Sequence, residues 1–135
     1  MQGLPPTNPG PYPGGGQAVL LRANEQQTLW LNQNLVAGTT ASVAVQLERI
    51  KMSYYYPWGA AFQVAFSGAP GTFEIDIQFA EIDTDADYVT VGTITAVNAS
   101  NVGRYDMPNT VFPKFVRAFA KTFPNAVTAT LVASR

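Results

Sequence analysis

The residues best placed to do chemistry are the carboxylates Glu81, Asp83, Asp85 and Asp87, which recur at every second position. Hard cations such as Ca2+ take carboxylate oxygens, and an Asp-x-Asp-x-Asp run opens the EF-hand loop. Counting from Asp83, the sixth loop position falls on Tyr88, where that loop needs glycine for its turn. The twelfth falls on Ile94, where the loop needs a bidentate glutamate. An EF-hand is therefore excluded. The run reads as a solvated acidic turn, with an irregular Ca2+ site as the alternative, and neither metal nor cofactor is expected. Glu74 and Asp76 are a second candidate, as a carboxylate pair for glycoside hydrolysis. That chemistry needs one carboxyl pushed up in pKa by burial. Both residues fall on the phase of their segment that is expected to face water, where no such shift arises.

Other reactive groups are missing from the chain. It has no cysteine and no histidine. Thiolate nucleophiles, disulfides, the common zinc ligands and the usual near-neutral base are excluded with them. No serine elbow and no phosphate-cradling glycine loop occurs. An enzyme is not expected. Net charge is −1, with 13% charged residues and 47% hydrophobic ones, which fits a charge-poor globular domain and offers no basic excess for nucleic acid. No apolar run approaches the roughly 20 residues of a membrane helix, and the start MQGLPPTNPG is not a secretory leader, so a soluble cytosolic product is expected.

Two segments could bind a partner. Met1–Gly16 holds five of the ten prolines and five of the eleven glycines. It reads either as a loose tail or as an extended arm, in which Leu4, Pro5, Pro6, Tyr12 and Pro13 offer apolar contacts at low ordering cost. In Lys51–Ala60, the residues Tyr54, Tyr55, Tyr56 and Trp58 crowd around Pro57. They read either as a cap on the core or as an exposed platform, since Tyr and Trp anchor interfaces and stack on sugars.

These segments hang on a framework centred on Thr72–Ile94. Phe73, Ile75, Ile77 and Phe79 alternate with Glu74, Asp76 and Gln78, the period of a strand with one apolar and one wet face. Glu81–Asp87 connects it to a second strand, Tyr88–Ile94. Further short strands are expected at Gln17–Ala23, Gln27–Leu31, Ala41–Ile50, Ala61–Ser67, Arg104–Met107, Lys114–Thr122 and Ala126–Ser134, separated by Gly, Pro and Asn turns. A helix competes at Ala41–Ile50 and at Lys114–Thr122. Eight or nine strands in 135 residues predict one all-β domain, a jelly-roll-like antiparallel sandwich over 17–135 behind the arm at 1–16. Six of the nine acids lie in Glu74–Asp87, while Arg104, Lys114, Arg117 and Lys121 cluster later, which predicts separate acidic and basic surfaces.

The run FEIDIQFAEIDTDADYVTVGTI, followed by FPKFVRAFAKTFPNAVTATLVAS, resembles small β-sandwich virion proteins of tailed bacteriophages. A strand ends in an acidic turn, an aromatic residue opens the next, and a Pro-aromatic-Val-Arg strand and a threonine-rich strand follow. The pattern covers about Ala61–Ser134. The nearest kind is the jelly-roll head decoration, or cement, protein of short-tailed phages. That resemblance implies a structural protein on the exterior of the capsid, assembled in the host cytoplasm, that clamps neighbouring major capsid proteins. It also implies a homo-oligomer, dimer or trimer, with no nucleic-acid or membrane partner. The alternatives are a carbohydrate-binding sandwich module and a tail, baseplate or neck component of the virion.

Overall fold

The computed structural model describes residues 18–22, 24–38, 40–47, 60–108, 113–123 and 126–135. Ten strands run through them: β1 (Val19–Leu21), β2 (Gln26–Asn34), β3 (Thr40–Ala41), β4 (Val45–Leu47), β5 (Ala61–Phe66), β6 (Glu74–Ala80), β7 (Val89–Ile94), β8 (Val102–Asp106), β9 (Phe115–Thr122) and β10 (Thr128–Ser134). The one helical element among the described residues is a single 3-10 turn at Asp85–Asp87. Lys114–Thr122, where a helix competed, is strand β9.

The strands form two sheets. One has the order β1-β4-β9-β6-β7, with β3 also on β9, and the other β2-β10-β5-β8. Apart from β3 to β4 and the β6–β7 hairpin, every connection changes sheet. This weaving makes the molecule an all-β sandwich of the jelly-roll kind. β1 lies parallel to β4, and the other pairs are antiparallel.

Period-two patterning builds the core. Phe62 and Val64 of β5 and Leu131 of β10 are fully buried, and so are Ile75 and Ile77 of β6 and Val116 of β9 from the other sheet. Ala118, Ala120, Ala129 and Ala133 are buried on the same inner faces, so each face carries both large and small side chains. Phe66, Phe73 and Phe123 pack with ring centroids 5.1 to 6.2 Å apart. At about 25 cal/mol per Å2 of apolar surface removed from water, each fully buried Ile or Phe contributes about 1.5–3 kcal/mol.

The expected single strand at Ala41–Ile50 breaks in its described part into β3 and β4. Ser42 is the reason. Its hydroxyl oxygen accepts the Ala118 N–H at 2.9 Å while its own N–H donates to the Ala118 carbonyl at 2.8 Å. A side chain thus replaces a backbone group in the ladder, and the strand departs from regular geometry over 42–44. In the opposite direction, β2 extends past Leu31 into the expected loop. A register shift beside Asn32, whose φ is +46°, lets it continue along β10 to Asn34.

Candidate functional site

None of the nine residues expected to meet a partner falls in the described part of the chain. Leu4, Pro5, Pro6, Tyr12 and Pro13 in the arm, and Tyr54, Tyr55, Tyr56 and Trp58 in the aromatic loop, all lie outside it. The polar chemistry that is described gathers on the outer face of the first sheet, where β6, β7 and β9 lie side by side.

Alternation puts Asp76 and Gln78 of β6 and Phe115, Arg117 and Phe119 of β9 on that face. Register sets Gln78 opposite Arg117 and Asp76 opposite Phe119, with Thr93 of β7 on the other side of Asp76. The acidic turn folds back over this row. Arg117 Nη1 donates to Asp85 Oδ1, Arg117 Nε donates to Gln78 Oε1 at 2.8 Å, and the guanidinium carbon lies 4.0 Å from the Tyr88 ring centre. The Tyr88 hydroxyl donates to Asp83 Oδ1, and the Thr84 hydroxyl donates to Asp87 Oδ2. Glu81 accepts the Lys114 backbone N–H at 3.0 Å. The turn is solvated, as expected, with Glu81, Asp85 and Asp87 exposed, and these contacts also order it.

Burial decides what this arrangement can do. The Arg117 side chain is 8% exposed and its Asp85 partner 54%. Burying an unpaired guanidinium costs several kcal/mol, so the carboxylate, the amide oxygen and the ring face are needed to hold it. Held through Nε, Nη1 and its contact with the Tyr88 ring, Arg117 acts as a clasp. Asp76 corrects the expected wet face. It is buried at 7% exposure and accepts hydrogen bonds from Thr93 at 3.1 Å and Thr90 at 3.3 Å. Glu74 is half-buried and bonded to the Thr122 hydroxyl. The face is occupied by its own turn, which sequence alternation alone does not reveal.

The predicted separation of charge is not found among the described residues. β9 lies against β6, so Arg117 sits among the acids, and Arg104 pairs with Asp106 at 2.8 Å. No group of three or more Asp, Glu, His or Cys residues is gathered to hold a metal ion among the described residues. The shielded Asp83 Oδ2 has no hydrogen-bond partner there.

Beside its exposed acids the turn also exposes apolar residues. Ile82 is 61% exposed and Val89 63%. Beside them an open depression of about 270 Å3 is lined by Phe79, Ala80, Glu81, Asp87, Val89 and Pro113. Sequence reading singled out Glu81 and Asp87 but missed Ile82, Val89 and Arg117 as parts of one site. The signals were an isoleucine inside an acidic run, and an arginine sharing its strand phase with Phe115 and Phe119. No known protein family, curated protein or solved structure matches the chain.

Proposed function

We propose that the chain is a structural virion protein, a decoration or cement protein that binds the outside of a phage head and stabilises contacts between major capsid proteins. The observation that carries this reading is the division of labour on the surface. Gln78 and Asp85 hold Arg117, and Thr90 and Thr93 hold Asp76, whereas Leu31, Val36, Ile82, Val89 and Val91 are exposed. Such a surface is suited to contact and carries no described constellation for bond-breaking. The resemblance of Ala61–Ser134 to phage sandwich proteins gives the contact its partner. The mechanism is area buried across many copies: weak individual contacts on a symmetric shell add as avidity, and preference for the assembled shell stabilises it by mass action.

The arm Met1–Gly16 is assigned the reach to a neighbouring subunit, with Gly14–Gly16 as its hinge. The test mixes full-length protein, and protein lacking Met1–Gly16, with undecorated expanded heads and reads occupancy by gel densitometry after sedimentation. Full-length protein should saturate the heads and the truncated form should not. Full occupancy by the truncated form would reduce the arm to a tail. Co-sedimentation with tails instead of heads would replace the cement reading with that of a tail component.

A further inference from the structure

We propose that the depression beside β7 is the docking point for a basic segment of a partner protein. It takes one lysine or arginine, with the aliphatic stem against Phe79, Val89 and Pro113 and the charged end at Glu81 and Asp87. The depression is an unfinished end of the core. Phe79 and Val89 face each other in the β6–β7 register, on the same strand phase as Ile75 and Ile77. At Ile75 and Ile77 that phase is fully buried. On β7, Gly92 and Ile94 lie against Tyr105 and Gly103 of β8. At the last rung Phe79 is half-buried and Val89 is 63% exposed, so the inward phase opens to solvent there. Its volume of about 270 Å3 is below the ~300–1,000 Å3 of small-molecule sites and suits a single side chain.

The walls select the occupant. Two exposed carboxylates, Glu81 and Asp87, stand among the apolar Phe79, Ala80, Val89 and Pro113. Asp83 is turned to the Tyr88 hydroxyl and Asp85 to Arg117. The nearby bases do not cancel the rim. Arg117 is held by Asp85 and Gln78, and the Lys114 ammonium lies 5.4 Å from the centre of the Phe115 ring. Set against Glu81, Asp83, Asp85 and Asp87, these two bases leave two negative charges at this end of the sheet. Glu74 and Asp76, towards the far end of β6, have the same sign. A purely apolar side chain docked here would strip water from carboxylates and give them no partner. Lysine and arginine instead lay a methylene stem on apolar surface and keep the charged head at its rim. Ile82, which follows Glu81 and is 61% exposed, offers apolar ground to the neighbours of that residue. The bulge at Val91 interrupts the edge of β7, so the contact is made by side chains and not by an added strand.

This deepens the shell-binding reading and rests on it only for which protein supplies the segment. The probes are capped pentapeptides, Gly-Leu-Arg-Leu-Gly and its Lys, Gln and Glu versions, titrated to millimolar concentration into 15N-labelled protein. The Arg and Lys peptides should shift the backbone amides of Phe79–Glu81 and Asp87–Val89 saturably. They should bind about threefold or more tighter than the Gln peptide at low salt, and the Glu peptide should bind least. Glu81→Gln combined with Asp87→Asn should erase the preference for Arg over Gln. Val89→Ser should weaken both, and Leu31→Ser on β2 neither. No saturable shift, binding indifferent to charge, or shifts centred on another surface would overturn the proposal. So would concentration-dependent shifts without peptide, which would give the depression to a second copy. Peptide binding seen only after Arg49→Gln and Lys51→Gln would give it to the chain's own basic run, and would overturn the proposal too. Sedimentation with heads separates the two readings. Heads that take up the parent and the Glu81→Gln, Asp87→Asn protein alike, with no Arg preference among the peptides, would remove this docking point and leave the shell reading standing. Arg-selective binding by a protein that ignores heads would support the docking point and remove the shell reading.

Discussion

The Arg117 guanidinium lies flat enough against Tyr88 to bring its central carbon within 4.0 Å of the ring centre, while the same group holds Asp85 and Gln78. One side chain of β9 thereby fixes the turn between β6 and β7. The sequence separation is 29 residues to Tyr88 and 32 to Asp85, so this contact orders a local turn from a distant strand.

Removing that side chain should cost the fold about 2–4 kcal/mol, measured by denaturant unfolding of Arg117→Met. Breaking a buried pair costs about 3–5 kcal/mol, reduced here because Asp85 keeps half its exposure to water. Arg117→Lys should recover only part, since an ammonium cannot contact both the amide and the carboxylate with a planar fork. A double-mutant cycle with Tyr88→Leu should give a coupling of about 0.5–2 kcal/mol. Zero coupling would mean the ring merely covers the arginine.

The two phases of β6 should respond differently from what alternation alone suggests. Ile75→Asp and Ile77→Asp should unfold the domain, because an unpaired charge would enter a fully buried site. Asp76→Lys should also destabilise strongly, by several kcal/mol, since it strands Thr90 and Thr93 and buries an ammonium beside Phe119. Glu74→Lys should be mild. Thermal melts of the four variants check the order, and an Asp76→Lys protein as stable as Glu74→Lys would show that this aspartate is not locked in place.

Two glycines hold β7 against β8. A methyl group at Gly103 would lie 2.7 Å from Ile94 Cγ2 and 2.9 Å from the Ala96 carbonyl oxygen. One at Gly92 would lie 2.3 Å from the edge of the Tyr105 ring. Gly103→Ala should cost about 1–3 kcal/mol, the usual range for overpacking, because a backbone oxygen cannot swing away. Gly92→Ala should cost less, since the end of a tyrosine side chain can move. Denaturant midpoints of the two variants test the ranking.

Chelation should leave the fold unchanged. Tyr88 holds one oxygen of Asp83, Thr84 one of Asp87 and Arg117 one of Asp85, so the turn is ordered by protein partners without a cation. Excess EDTA should not move the melting temperature. A fall of several degrees reversed by Ca2+ would assign the unpartnered Asp83 Oδ2 to a cation.

Burial raises the pKa of the Tyr105 phenol above the ordinary value of 10.0. The sign follows from linkage: the folded state favours the protonated form, so the stability is complete below pH 10 and is lost as pH rises through the folded value. Unfolding free energy should therefore fall more steeply above pH 10 in the parent than in Tyr105→Phe, which has no phenol to ionise.

The sequence by itself determined the class of this protein. Phe73, Ile75 and Ile77 against Glu74, Asp76 and Gln78, and the same alternation in Phe62–Phe66 and Val127–Leu131, dictate strands, because inward and outward positions in an extended chain depend only on parity. Lacking cysteine and histidine, it also lost most familiar chemistries before any fold was known. Parity does not say what covers the outward phase. Asp76 became buried because β7 brings Thr90 and Thr93 to it. Arg117 became a clasp because β9, 39 residues beyond Gln78, lies beside β6. Strand order, the break at Ser42 and the exposure of Ile82, Val89 and Val91 were likewise decided by tertiary structure. Each depends on which distant strand arrives alongside, and residue order along one strand carries no record of its neighbour.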